Sequence, residues 1–167
     1  MFVPFENLSP QSRVWIYQAD RKFDSLEEKT VANLLEEFCG KWNAHGEPLK
    51  SSFKIDKSQF VIMAVDEDFH NPSGCSIDSS VGVMRQIQAI TGADLLDRTK
   101  VPFYIDDNIE LIPLTELKSG FATGRFQAST PTFNTLAASL TELENKWQIP
   151  TEKSWMAKYL PKPALIS

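Results

Sequence analysis

Residues 59–65, QFVIMAV, are apolar on both of the faces between which a strand alternates, and this predicts a strand buried inside a sheet. Beyond the polar stretch that follows, the spacing of Ile77, Val81, Met84 and Ile87 predicts one face of a helix ending at Gly92. Upstream, RVWIYQA (13–19) sets Val14 and Ile16 on one face and Trp15 and Tyr17 on the other, so it too predicts a two-sided strand. Between these two strands, Asp24 and Ser25 precede Glu27 and Glu28 with capping spacing. Val31, Leu34, Leu35, Phe38 and Trp42 then recur at helical intervals, and the helix is expected to end within Gly40–Gly46. SSFKID (51–56) alternates apolar and polar positions, the pattern of an edge strand with one wet face. VPFYIDDN (101–108) repeats the edge pattern with a proline inside it, and AspAspAsn turns it into ELIPL.

This order predicts an α+β fold with a ferredoxin-like βαββαβ core over residues 12–114, its first and third strands central, plus one added β-hairpin strand. Thr130-Pro131 is expected to start a C-terminal helical segment (131–160). Its stripe of Phe133, Leu136, Leu140, Leu143 and Trp147 would pack on the sheet, over Trp15 and Tyr17. Trp155, Tyr159 and Leu160 would anchor the end, with Pro161-Lys162-Pro163 loose beyond them. KSGFATGRFQAST (118–130), rich in glycine and hydroxyl residues, predicts a flexible loop whose Lys118 and Arg125 are free to meet an anion.

Length and composition add limits. A chain of 167 residues, 11% of them aromatic, has enough bulk for one domain, 1–167. No basic segment leading into an apolar one opens it and no long apolar run interrupts it. The expectation is therefore a cytosolic protein with no membrane insertion. A net charge of -5 without a basic run opposes nucleic acid as a partner, which leaves an unknown protein partner or a small anionic ligand. Trp15, Tyr17 and Phe60 stand where an RNA-stacking sheet carries aromatics, but the basic Gly-aromatic signature is missing. Cys39 and Cys75 form no CxxC or Cys/His pattern, so reduced thiols are expected, with no disulfide, zinc or cofactor.

Reactive side chains gather at 66–80. Cys75 falls in the first turn of a predicted helix, where unpaired N–H groups favour a thiolate, while Asp78 opposes it. As a nucleophile it needs a base: His70, nearer in sequence, is favoured over His45. Ser73, Gly74, Ser76, Asp78, Asp66 and His45 are the candidate ligand contacts, and Cys75 with His70 the candidate catalytic pair. The alternative is a small cysteine fitted to a tight helix start that Ser73 and Ser76 cap. Asp66, Asp68, His70 and Asp78 are oxygen and imidazole donors, yet their spacing matches no metal motif, so no metal is expected. WNAHG (42–46) marks either the rim of a pocket or a core tryptophan followed by a chain-turning glycine.

SRVWIYQ, KWNAHG, SGCSIDSSV, DLLDR and the SW of the tail together resemble a family of small bacterial proteins often labelled "ABC transporter ATPase", over nearly the whole chain. The resemblance implies no catalytic residues. The label itself implies a phosphate loop, and no segment here reads GxxxxGK[ST], so ATP hydrolysis is not expected. Two functions remain: a noncatalytic protein-interaction or accessory protein, or a small enzyme or small-molecule binder with its site around Cys75.

Overall fold

The computed structural model describes residues 1–162. Along the chain run β1 (Arg13–Gln18), α1 (Ser25–Lys41), β2 (Asn43–Ala44), β3 (Glu47–Pro48), β4 (Ser51–Asp56), β5 (Phe60–Val65) and α2 (Gly74–Thr91). After them come β6 (Lys100–Ile105), β7 (Asn108–Pro113), α3 (Leu117–Thr123), β8 (Pro131–Phe133), α4 (Leu140–Lys146) and β9 (Gln148–Pro150). The fold is α+β, and the described chain forms two compact units. One joins Met1–Asp97 to Thr135–Asn145; the other joins Arg98–Asn134 to the residues from Lys146 onward. Of the loose end expected at Pro161-Lys162-Pro163, Pro163 lies outside the described residues.

In the first unit the sheet order is β1-β5-β4, with antiparallel neighbours. All six residues of β5 are buried, as its two-sided apolar sequence requires, and β4 lies at an edge. The β4–β5 loop is closed by Gln59 N–H donating to the Asp56 carbonyl, with Lys57 and Ser58 both in the left-handed region. One face of the sheet offers Tyr17, Val61, Met63 and Val65 to Val31, Leu35, Cys39 and Trp42 from the α1 side and to Val83, Met84 and Ile87 of α2. Trp15 packs against the same cluster, its ring 5.9 Å from that of Trp42, and the Tyr17 hydroxyl lies 3.1 Å from Ser80 Oγ. The cover expected from a tail helix over Trp15 and Tyr17 is thus supplied by α1 and α2, and the aromatics form no open platform. Trp42 Nε1 donates to the Ser76 carbonyl at the start of α2, while Arg21, just before α1, donates to the Thr91 carbonyl at its end. The two helices therefore run antiparallel.

The expected fourth strand is not in this sheet. Lys100–Ile105 belongs to a second sheet, so the ferredoxin-like order is replaced by three strands with β1 at the other edge. Residues 138–140 stand where the fourth strand was expected. Val14 N–H donates to the Ala138 carbonyl (3.1 Å), Leu140 N–H to the Ser12 carbonyl (2.8 Å), and Arg13 bridges to Ser139. A few backbone bonds here do the work of a strand pairing, which no hydrophobic pattern announces.

The second unit has the sheet order β7-β6-β8-β9. Asp106 and Asp107, both at positive φ, make the two-residue turn between β6 and β7. Its core holds Val101, Phe103, Ile112, Leu117, Phe121, Phe126 and Met156. Residues 118–130 are accordingly no flexible loop: α3 occupies their first half, and Phe126 stacks on Phe103 with ring centres 4.5 Å apart. Gly120 makes this possible, because a Cβ there would lie 2.1 Å from Phe126 Cζ. Arg125 pairs with Glu116 at 3.6 Å. Nor does Thr130-Pro131 start a helix. Pro131–Phe133 is a strand, Thr132 Oγ1 donates to the Pro102 carbonyl, Leu136 is 66% exposed, and the segment's α-helix is confined to Leu140–Lys146, with short 3-10 turns at Thr151–Lys153 and Trp155–Tyr159. At the tail, Met156 is the buried anchor, with Tyr159 and Leu160 packed beside it, whereas Trp155 is 38% exposed.

Candidate functional site

The loop after β5 is built around Asp66. Its carboxylate accepts from Ser9 N–H (3.4 Å), Ser9 Oγ (3.3 Å) and Asp68 N–H (3.1 Å), and Lys50 Nζ stands at 3.4 Å. Burial pushes this carboxyl up, but the hydrogen bonds and Lys50 outweigh it and hold it below the ordinary aspartate value. Asp66 thereby ties the loop to the chain before β1. His70 N–H reaches back to the Asp66 carbonyl (3.4 Å), and Asp68 is exposed.

α2 begins with a reciprocal cap. Ser76 N–H donates to Ser73 Oγ (3.1 Å) and Ser73 N–H to Ser76 Oγ (2.6 Å), while Ser76 Oγ donates to the Ser73 carbonyl. Both hydroxyls serve the helix start, the role that the capping alternative gave them. Among the described residues no acceptor takes the N–H of Gly74 or Cys75. Cys75 is exposed, and so is Asp78 further along the first turns.

The opposite wall comes from the end of α1. Trp42, anchored through its indole N–H on the Ser76 carbonyl, leads into β2, and β2 and β3 are joined by His45 and Gly46, both at positive φ. A histidine adopts this region with less penalty than a branched residue, and glycine with none. Asn43 Oδ1 accepts from Gly46 N–H (3.3 Å) and Asn43 Nδ2 donates to the Lys41 carbonyl (3.2 Å), which fixes the turn. Between the walls lies a cleft of about 360 Å³ lined by Phe38, Lys41, Trp42, Asn43, His45, Ser73, Cys75, Ser76 and Ser79.

The cleft brings together Cys75, Ser73, Ser76 and His45. Gly74, His70, Asp66 and Asp78 are not among its lining residues, so the histidine that shares a cavity with Cys75 is the one more distant in sequence. Neither imidazole is hydrogen-bonded to the Cys75 thiol among the described residues. Phe38, Lys41 and Ser79 also line the cleft and carry no sequence signal of it, whereas Trp42, Asn43 and His45 fall within WNAHG, whose pattern offers a pocket rim as one of its two readings. Among the described residues no group of three or more His, Cys, Asp or Glu is placed to hold a metal ion, and no helix is long and apolar enough to cross a membrane. Comparison of the chain with protein families, with curated proteins and with solved structures finds no match in any of the three.

Proposed function

We propose that this is a cytosolic binding protein for a small anionic molecule, held in the cleft between the end of α1 and the start of α2. The observation that carries it is the convergence, on one cavity, of Lys41, the His45 turn and Ser73, Cys75 and Ser76 at the head of an 18-residue helix whose Gly74 and Cys75 N–H groups take no acceptor among the described residues. Such N–H groups and the helix dipole favour an anion, and a cavity of about 360 Å³ is of small-molecule size. Cys75 is a contact at the mouth. With no imidazole bonded to its thiol, the arrangement supports binding more directly than nucleophilic catalysis. The same proposal includes kinship with the small bacterial proteins often labelled "ABC transporter ATPase", without the ATP hydrolysis that the label implies.

Alkylation of Cys75 tests this. An electropositive cleft should favour anionic iodoacetate over neutral iodoacetamide, relative to the same ratio for glutathione, and inorganic phosphate should slow both reagents. Lys41→Ala should bring the ratio toward that of glutathione. A ratio equal to that of glutathione, unmoved by phosphate and by Lys41→Ala, rules the anion site out. A second reading, an accessory protein that docks a protein partner, draws on Phe69, 54% exposed on the loop after β5.

A further inference from the structure

Resting on the anion-binding reading, we infer that the ligand is elongated and amphipathic: a linear carboxylate with its head in the cleft beside Cys75 and its hydrocarbon tail in the groove between α1 and α2. The cleft does not end at Ser79. A second cavity of about 420 Å³ shares Phe38, Lys41 and Ser79 with it and continues along Leu34, Gly82, Val83 and Gln86. Because the two helices are antiparallel, this second cavity lies farther along their seam, away from the polar end. The character of the walls changes along the way. His45, Asn43 and Ser73 line one end; Leu34, Gly82 and Val83 line the other, with Glu37 and Gln86 at its edge; and Phe38, Lys41 and Ser79 stand where the two cavities meet.

Charge and shape favour one occupant. Lys41 pairs with Glu37 at 3.0 Å, but both side chains are largely exposed, so a carboxylate arriving from the cleft competes with a weak ion pair. Each cavity has the size of a small-molecule site, and together they suit a chain laid lengthwise rather than a compact anion. Gly82 lies on the floor of the apolar part. Nothing stands within 4 Å of the place where its Cβ would be, so the packing of the protein does not call for glycine in the middle of this helix. A larger side chain at 82 therefore starts from open space on the wall of the groove.

Backbone-amide NMR titration of the full chain with octanoate, acetate and octanol provides the test, together with Gly82→Leu. Acetate should move the Gly74, Cys75 and His45 signals alone. Octanoate should move these and those of Gly82 and Val83 as well, and bind at least about tenfold more tightly than acetate, since burying a few methylenes is worth that much. Gly82→Leu should abolish the octanoate advantage and leave the acetate response intact. Equal affinities for octanoate and acetate, with no shifts around Gly82, overturn the tail and leave the anion site standing. Octanol binding as well as octanoate overturns the carboxylate head. Shifts with no probe at all overturn the tail and the anion site together.

Discussion

At the scale of single residues, folding decides what a reactive side chain is free to do. Asp66 and Ser76 look available in the sequence, but one is taken up by Ser9, Asp68 and Lys50 and the other by the cap of α2. Asp66→Asn should therefore destabilise the protein by about 1–3 kcal/mol, the range for disturbing a buried hydrogen-bonded group, without removing the cleft. Because the folded state holds Asp66 below its ordinary value of 3.8, its contribution is present above that value and fades as the pH falls below it. Chemical denaturation of both proteins at neutral and acid pH measures this, and the two curves should converge in acid. The cysteines should differ as sharply. Burial raises the Cys39 thiol to about 11, with Ser51 opposing, whereas Cys75 is exposed. Mass spectrometry after native alkylation at neutral pH should find one adduct, at Cys75, and two after denaturation. Cys75 and its serines were legible from the capping spacing. That His45 rather than His70 shares the cleft with Cys75 was not, because a two-residue turn that folds back beside α2 is a tertiary fact written in no local period.

At the scale of elements, the best-marked helix was the one with its cap spelled out. Asp24 and Glu27 exchange backbone and side-chain hydrogen bonds as their spacing predicts, and Arg21 clamps Glu27 at 2.8 and 2.9 Å. The Arg21 guanidinium, with the Asp24 N–H, holds the Glu27 carboxyl at about 2 against an ordinary 4.5. A depressed carboxyl stabilises above its unfolded value and loses that contribution as the pH falls from about 4.5 to about 2. Thermal melts across this range should fall more steeply for the native sequence than for Glu27→Gln. Residues 118–130 read as a loop because of their glycines. Glycine counts as a loosener in a sequence, yet Gly120 is there to admit the ring of Phe126. The two mid-helix glycines should consequently respond with opposite signs. Gly82→Ala should stabilise by about 0.5–1 kcal/mol, the usual advantage of alanine in a helix. Gly120→Ala should destabilise, because its methyl and the phenyl ring cannot share one place. Urea unfolding of the two variants settles the pair; a stabilised Gly120→Ala would contradict the packing described for the second unit.

At the scale of the whole molecule, the α+β class and the buried and edge characters of β5 and β4 were readable, because a strand's burial is printed in its alternation. The division of strands between two sheets was not. An apolar strand with a proline near its start, such as β6, reads the same whichever sheet receives it. The interleaving of the chain has a direct consequence for truncation. Residues 1–97 contain every strand of the first sheet, yet lack the 138–140 segment that bonds to β1 and the Leu140 and Leu143 of α4. Expressed alone, 1–97 should be aggregation-prone through the bared edge of β1, whereas the full chain should stay dispersed; sedimentation velocity distinguishes the two.

The same interleaving sets a timetable for synthesis. A ribosome releases the strands and helices of the first unit in order, but the segment that completes its sheet, residues 138–140, follows only after the first stretch of the second unit, Arg98–Asn134. At about 5–20 residues per second, the nascent chain carries an unfinished β1 edge for roughly 2–10 s. Through that interval the newborn protein depends on the β1–β5–β4 ladder and its two helices alone, and it is then, more than in the finished molecule, that a chaperone has something to hold.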